Sequence, residues 1–366
     1  MYTVNAYISK SALRHNLKVI KKLAAGSKII AMVKAKAKAK ANAYGHGSLE
    51  IAEILYDVDF FGVARLHEAL ALALRNSGVQ QRIFLTEGFL EKDELYQIAE
   101  NNLEIVVHHE WQLEMLNNIE LKKPISVWLK VDTGMHRLGF SVDKIAGVLS
   151  FLSNCPQVKP IINFMTHLSS ADEPDSAKTA EQISCFKSAV SNHKGFFSAA
   201  NTAAIFNNPE SHMDYVRPGI ALYGANPLCS YKGTSNNYEL KPVMSLFSKV
   251  IAIQELRTFE SVGYNPIWKT DRPTKIAVVA IGYGDGYPRH AKGGTPVYID
   301  GQYFPLVGRI SMDMITIDIG DADIKITEKV ELWGENLSIN IVAAHAGTIS
   351  YELLCSLTQR VKYHYV

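Results

Sequence analysis

The chain has 366 residues, 47% hydrophobic and 20% charged, and 38 Lys and Arg stand against 36 Asp and Glu for a formal net charge of +2. That length suits two domains, or one barrel with an appendage. The near-neutral balance excludes a polyanion as the expected partner, so no nucleic acid is expected.

From the N-terminus, Met1 to Tyr7 runs straight into the amphipathic stretch Ser9–Lys18, with no apolar leader. Export and a membrane anchor are therefore not expected, and a cytoplasmic location is. Cys155, Cys185, Cys229 and Cys355 are widely scattered, which reads as reduced thiols and no metal site.

Short apolar runs then alternate with helical patterns. Strands are predicted at Lys28–Val33, Phe60–Ala64, Arg82–Thr86, Leu103–Val107, Ile125–Val131, Ile161–Thr166, Phe196–Ala200 and Tyr215–Arg217. Segments such as Leu49–Leu55 and Leu66–Arg75 carry apolar residues at three and four spacing between them. Eight strands alternating with helices is the count of a (β/α)₈ TIM-like barrel, favoured over an open doubly wound sheet.

After Asn226 the pattern changes. Cys229–Tyr238 reads as a linker, and beyond it strands dominate: Val243–Glu255, Lys275–Tyr283, Thr295–Asp300, Met314–Ile319 and Lys329–Trp333. One helix is predicted at Ala344–Leu357, and Val361–Val366 closes the chain as a strand. The fold class is α/β, with a barrel over residues 1–232 and a mainly-β domain over 233–366.

The candidate chemistry sits at strand ends. After the first apolar run come four Lys-Ala pairs, Lys34 to Ala41, and then Asn42-Ala-Tyr-Gly-His-Gly47. A lysine delivered by a buried strand to a glycine turn can form a Schiff base with a carbonyl compound, and pyridoxal phosphate is the cofactor most often held so. Four lysines at period two would share one face, and a barrel cannot bury four ammonium groups cheaply. The tract is thus either a solvated extension or a duplicated stretch that the natural chain lacks; the second is favoured. Lys40 is preferred as the reacting lysine because the turn after it fixes its place, with Lys34 the choice if the repeat is read from its other end.

Further strand ends carry Lys130-Val-Asp-Thr-Gly-Met-His-Arg137, His167, Asn201-Thr202 and Arg217-Pro-Gly-Ile220. Alone, Asp132 and Arg137 read as an ion pair steadying a loop, and a lone histidine as a satisfied core residue. Three successive strand ends bearing His, Asn-Thr and Arg are a stronger signal. In the β domain, Tyr264, Tyr283 and Tyr351 would each pass for packing aromatics if met singly.

Together Val33-Lys34, Lys40–Gly47, Asp132–Gly139, Val216–Gly224, Ser261–Tyr264, Ile281–Arg289 and Val307–Met314 resemble motifs of the alanine racemases, over nearly the whole chain. The resemblance implies a pyridoxal-phosphate-dependent isomerase that interconverts L- and D-alanine and supplies D-alanine for cell-wall peptidoglycan. It implies two bases, Lys40 (or Lys34) on one face and Tyr264 from the partner subunit of a homodimer with shared active sites. Tyr44, Arg137, His167, Asn201, Thr202, Arg217, Gly219, Ile220 and Tyr351 would hold the cofactor. Arg137, Tyr283, Met312 and Asp313 would meet the substrate, and Lys130 matches a lysine that is carbamylated in many members. Ser261-Val-Gly-Tyr264 is followed by Asn265-Pro266 where the motif usually has Gly and a small residue. Two other readings are weaker: an amino-acid decarboxylase, whose acidic residue at the pyridine nitrogen is replaced here by Arg217, and a cofactor-buffering barrel, which would lack residues 240–366.

Overall fold

The computed structural model describes residues 3–34, 42–73, 81–228, 238–265 and 267–366. Lys40 and the linker residues 229–237 therefore lie outside the described residues.

The first strand, β1 (Asn5–Ile8), leads into a helix at Lys10–Leu23 whose N-cap Ser9 accepts from the Ala12 amide at 3.2 Å. Eight parallel strands follow: β2 (Lys28–Met32), β3 (Phe60–Val63), β4 (Arg82–Leu85), β5 (Glu104–Val107), β6 (Ser126–Lys130), β7 (Asn163–Met165), β8 (Phe197–Ser198) and β9 (Tyr215–Val216). Each overlaps a predicted strand. They pair in the order β8-β7-β6-β5-β4-β3-β2-β9. A parallel bridge between Asn201 and Arg217 joins the two ends, with the Arg217 amide donating to Ala200 at 2.9 Å, so the sheet closes into a barrel.

The two mouths of this barrel differ. At the N-terminal end, Phe60, Phe84, Trp128 and Tyr215 pack edge to face. There Glu104 accepts from the Trp128 indole at 2.7 Å and pairs with Arg82. That floor is filled and its charges are matched, so the unpaired charges collect at the C-terminal mouth, where barrel chemistry is placed.

The second unit is built on β10 (Met244–Leu256), β11 (Thr274–Val279), β12 (Pro296–Ile299), β13 (Gln302–Val307), β14 (Ile315–Gly320) and β15 (Lys329–Trp333). These pair in the cyclic order β10-β11-β14-β13-β12-β15 and back to β10, a closed antiparallel barrel. β1 pairs antiparallel with β10 and parallel with the last strand, β16 (Lys362–Tyr365). The N-terminal strand thus belongs to the second sheet. The helix expected at Ala344–Leu357 is instead two short helices, Ile339–His345 and Ser350–Ser356. Gly347 breaks it with φ +64°, a left-handed conformation that ends a helix. Among the described residues no helix is long and apolar enough to cross a membrane.

Candidate active site

A cavity of about 520 Å³ opens at the C-terminal mouth, lined by Lys34, Tyr44, Lys130, Arg137, His167 and Arg217 among others. Asn201, Thr202, Gly219 and Tyr351 complete its wall, so ten of the expected residues meet there. Two carboxylates also face it, Glu87 and Asp172. Glu87 is already paired with Arg65 at 3.0 Å. The three cations Lys34, Arg137 and Arg217, with Lys130 beside them, therefore outweigh the free acid, and the cavity favours an anion.

Arg217 is buried, and everything around it accepts. Its Nη1 donates to Ser198 Oγ at 2.6 Å, and its Nη2 donates to the carbonyls of Thr166 at 2.6 Å and Ala199 at 3.0 Å. The same nitrogen lies 3.5 Å from His167 Nδ1. No carboxylate neutralises it among the described residues. Burial pulls its pKa down to about 10, which still leaves it charged at neutral pH. Burial and the charges of Arg217, Lys130, Arg137 and Lys34 hold His167 well below the usual histidine range, so its imidazole is neutral and its Nδ1 can accept.

Lys130, at the end of β6, is buried, and its ammonium has no hydrogen bond or ion pair among the described residues. Burial, then Arg217 and Arg137, pull its pKa from 10.5 to about 7, with Asp132 opposing. Asp132 does not pair with Arg137. Its Oδ1 instead accepts from the amides of Gly134 (3.0 Å), Met135 and His136 (both 3.1 Å), and its Oδ2 meets His136 Nδ1 at 3.1 Å. The loop is fixed by its own backbone donors, and Arg137 is left for the cavity.

The opposite wall is made by Thr202 and Gly219. The Gly219 amide donates to Thr202 Oγ1 at 2.6 Å, which leaves the threonine hydroxyl free to donate. A Cβ at position 219 would lie 2.8 Å from Tyr44 Oη and 3.5 Å from Thr202 Oγ1. Only glycine keeps that cradle open. Ile220 is fully buried just behind it. Asn201 serves as scaffold: its Oδ1 caps the helix Thr202–Asn207 through the Ala204 amide at 3.1 Å, and its Nδ2 donates to Leu168 at 3.0 Å.

Tyr44 reaches the cradle from an unusual backbone. Asn42, Ala43 and Tyr44 have φ of +23°, +53° and +51°. Each left-handed non-glycine residue costs about 1 kcal/mol or more, so the surroundings must impose the turn. The β domain does much of this. A Cβ at Gly45 would strike the Leu354 carbonyl at 2.2 Å, and one at Gly47 would strike Tyr365 Oη at 2.0 Å. Tyr351, whose ring lies 5.8 Å from that of Tyr44, arrives on the same helix as Leu354. Burial pushes its phenol up to about 12.

Tyr264, Tyr283, Met312 and Asp313 do not line this cavity in their own chain. Tyr264 is 76% exposed, and Met312 is 53% exposed. Tyr283 and Met312 sit side by side, since the amides of Tyr283 and Gly284 donate to Ser311 (3.1 Å) and Met312 (2.8 Å). Asp313 accepts from Arg360 at 2.6 Å. Asn265 has φ +44°, a left-handed conformation that asparagine adopts more readily than most residues. Several contributors were not singled out from the sequence. Glu87 and Asp172 line the cavity, Ser198 and Thr166 hold Arg217, and His46 holds the tyrosine turn. His46 lay within a motif already noted, but nothing in its spacing marked it.

A closed barrel with a lysine, a glycine cradle and an unneutralised buried arginine at one mouth defines a class: barrel enzymes that hold an anionic aldehyde cofactor. The comparisons narrow it. The family model "Alanine racemase, N-terminal domain" matches residues 8–227, and "Alanine racemase, C-terminal domain" matches residues 243–365. The alanine racemase of Shewanella woodyi is 47% identical over 357 residues, covering 97% of each chain. The biosynthetic alanine racemase from Pseudomonas aeruginosa superposes with a TM-score of 0.94 at 39% identity, covering 100% of each chain. That from Bartonella henselae with covalently bound pyridoxal phosphate superposes at 0.87 with 29% identity, again over 100% of each. The chain belongs to the alanine racemase family, pyridoxal-phosphate-dependent isomerases that interconvert L- and D-alanine.

Proposed function

We propose that this chain racemises alanine at the barrel mouth, with Lys34 as one base and Tyr264 of the partner subunit as the other. The observation that carries it is the shared cavity: Lys34, the Thr202–Gly219 cradle and a buried, unneutralised Arg217 all face one space. The cradle fits the cofactor phosphate, with the Thr202 hydroxyl, the Ile220 amide and the Tyr44 phenol as donors and the Gly219 amide holding Thr202 in place. Arg217 is the partner for the pyridine nitrogen and His167 supports it, while Arg137 serves the cofactor and the substrate carboxylate. When bound, pyridoxal phosphate supplies the electron sink that makes the substrate α-proton acidic.

The choice of Lys34 over Lys40 rests on the backbone. In the uninterrupted motif the lysine is followed by Ala-Asn-Ala, so its carbonyl lies three residues before the last alanine. The carbonyl of Lys34 accepts from the Ala43 amide at 3.1 Å, the bond that such a turn requires, and the Lys34 amide donates to Gly62 at 3.4 Å. Lys34 takes the place of the motif lysine at the end of β2. Borohydride reduction of the native protein followed by peptide mapping is expected to fix the cofactor on Lys34. A label on Lys40 would move the base within the tract, and a label outside residues 34–40 would sink the site.

Two bases suit a reaction that removes a proton from one face and returns it to the other. Lys34 serves one face. Tyr264 of the partner subunit serves the other, and the exposed loops bearing Tyr283, Met312 and Asp313 complete the mouth from the same side. The chain is read as a homodimer of two units per subunit, 1–232 and 233–366, with β1 lent to the second sheet. A cytoplasmic supply of D-alanine for peptidoglycan follows from this reading.

Lys130 is proposed to take up carbon dioxide. Its neutral amine would attack the gas and lose a proton, and the resulting carbamate anion would face Arg137. In the unfolded chain this amine titrates near 10.5 and in the folded chain at about 7. Between those values the unfolded state holds more protons, so stability rises with pH. In carbonate-free buffer, Lys130→Met is expected to melt above the native protein at pH 6, by a margin that narrows toward pH 9. Bicarbonate should raise the native melting temperature and leave the variant unchanged; equal effects on both would exclude the carbamate.

A further inference from the structure

His46 is fully buried within the turn that carries Tyr44, yet it takes no part in the cofactor and substrate contacts proposed above. Its Nδ1 lies 2.8 Å from the Tyr44 carbonyl and 3.1 Å from the Ala43 carbonyl. Both partners can only accept, so Nδ1 carries the proton and donates to them. Nε2 is then a bare lone pair, and it has no hydrogen-bond partner among the described residues. The ring instead lies against Tyr223, 4.6 Å between centroids. An orphaned buried acceptor is costly, so something else must hold the imidazole here. What it gains is the pair of carbonyls, which belong to the two residues forced into left-handed conformation, Ala43 (φ +53°) and Tyr44 (φ +51°).

We propose that His46 is a positioning residue for the cofactor phosphate: its Nδ1–H pins the Ala43–Tyr44 turn and so delivers the Tyr44 hydroxyl to the Gly219 cradle. The claim rests on the reading of that cradle as the phosphate site. Other bonds close the turn around it. The Gly47 amide donates to Asn42 at 2.9 Å, the His46 amide donates to Ala43 at 3.1 Å, and Asn42 Oδ1 accepts from the Ser48 amide at 2.8 Å. Those bonds fix the ends of the turn. Among the described residues only the imidazole reaches the carbonyl of Tyr44 itself, which sets how that residue faces. The Tyr44 ring then packs 4.9 Å from Tyr223, whose hydroxyl donates to the Met32 carbonyl at 3.0 Å. The end of β2, the tyrosine turn and the cradle are thereby one unit.

The test follows release of pyridoxal phosphate from the full-length holoenzyme after dilution, a readout separate from turnover. In His46→Asn the side-chain amide puts a donor where Nδ1 stands, and release should stay close to native. In His46→Gln the donor reaches the Nε2 position instead, and release should quicken about tenfold or more, the size seen when orienting partners are removed from bound groups. His46→Leu should match His46→Gln. Because the effect runs through one hydroxyl, adding Tyr44→Phe to His46→Gln should be no faster than the faster single variant. Equal release from the Asn and Gln variants, or a double variant whose effects multiply, would overturn the proposal. A native protein that holds no pyridoxal phosphate would instead remove the reading beneath it.

Discussion

Racemase activity is expected to reappear when Tyr264→Phe subunits are mixed with Lys34→Ala subunits, neither of which racemises alone. The reason lies in where Tyr264 stands. It is 76% exposed and lies off its own cavity, on a turn held open by Gly263 (φ +78°) and Asn265 (φ +44°). A phenol so placed does not face its own cavity, and in the proposed dimer it would serve a neighbour's. In a mixed dimer one site receives both native bases and the other neither. With free exchange at equal amounts, about a quarter of all sites should be whole. Loss of one general base costs roughly 10²–10⁴-fold, so either parent alone should sit far below that level. The Tyr264→Phe protein should still exchange the α-proton of one enantiomer, expected to be D-alanine, because Lys34 serves that face. Mixed subunits that exchange and stay inactive would rule out bases paired across the interface. A Lys34→Ala protein that is active by itself would return the base to another lysine of the tract.

The barrel was readable because its strands are buried on both faces. Each appears as a short apolar run such as Lys28–Met32 or Phe60–Val63, bounded by turn residues. Strand β1 escaped because Asn5-Ala-Tyr-Ile8 is four residues of half-buried alternation. Its partners Met244–Phe247 and Lys362–Tyr365 lie far along the chain, so no local pattern shows them. Strand β13 was hidden by Pro305, which demotes a run as a strand. The Asp300-Gly301 turn before it, with φ of +40° and +85°, was the hairpin signal that could have revealed it.

At the site, the residues on strand ends were legible because a barrel turns strand order into proximity. The lysine register was not. Four identical Lys-Ala pairs look the same from either end, and the proposal of Lys34 rests on the bond from Ala43 to Lys34. Nor could sequence decide Asp132. An aspartate near an arginine suggests an ion pair, but three backbone amides at 3.0–3.1 Å offered it closer partners. His46 needed its two carbonyl acceptors to be seen at all.

Arg217→Glu is expected to lower racemisation by about 10³-fold or more, roughly 4 kcal/mol in barrier, and to change what the site does with the substrate. Three neutral acceptors, Ser198 Oγ and the carbonyls of Thr166 and Ala199, surround the guanidinium at 2.6–3.0 Å. They are arranged for a permanent donor. With a pKa of about 10, Arg217 keeps its protons at neutral pH and would give none to a pyridine nitrogen placed against it as proposed. With pyridoxal phosphate bound as proposed, the electron sink would be weak, and Arg217 would favour return of the α-proton over slower reactions. A glutamate there would be hemmed in by oxygens and driven to hold a proton, which it could share with that nitrogen. The stronger sink should let substrate partition toward transamination, read as pyruvate released during D-alanine turnover. Arg217→Lys keeps a charged donor without the fork, so it should lose rate without gaining pyruvate. If Arg217→Glu loses activity and forms no pyruvate, while it still binds pyridoxal phosphate, the arginine only orders the barrel mouth. The gain of a side reaction, more than the loss of the main one, is what marks Arg217 as the residue that sets reaction specificity.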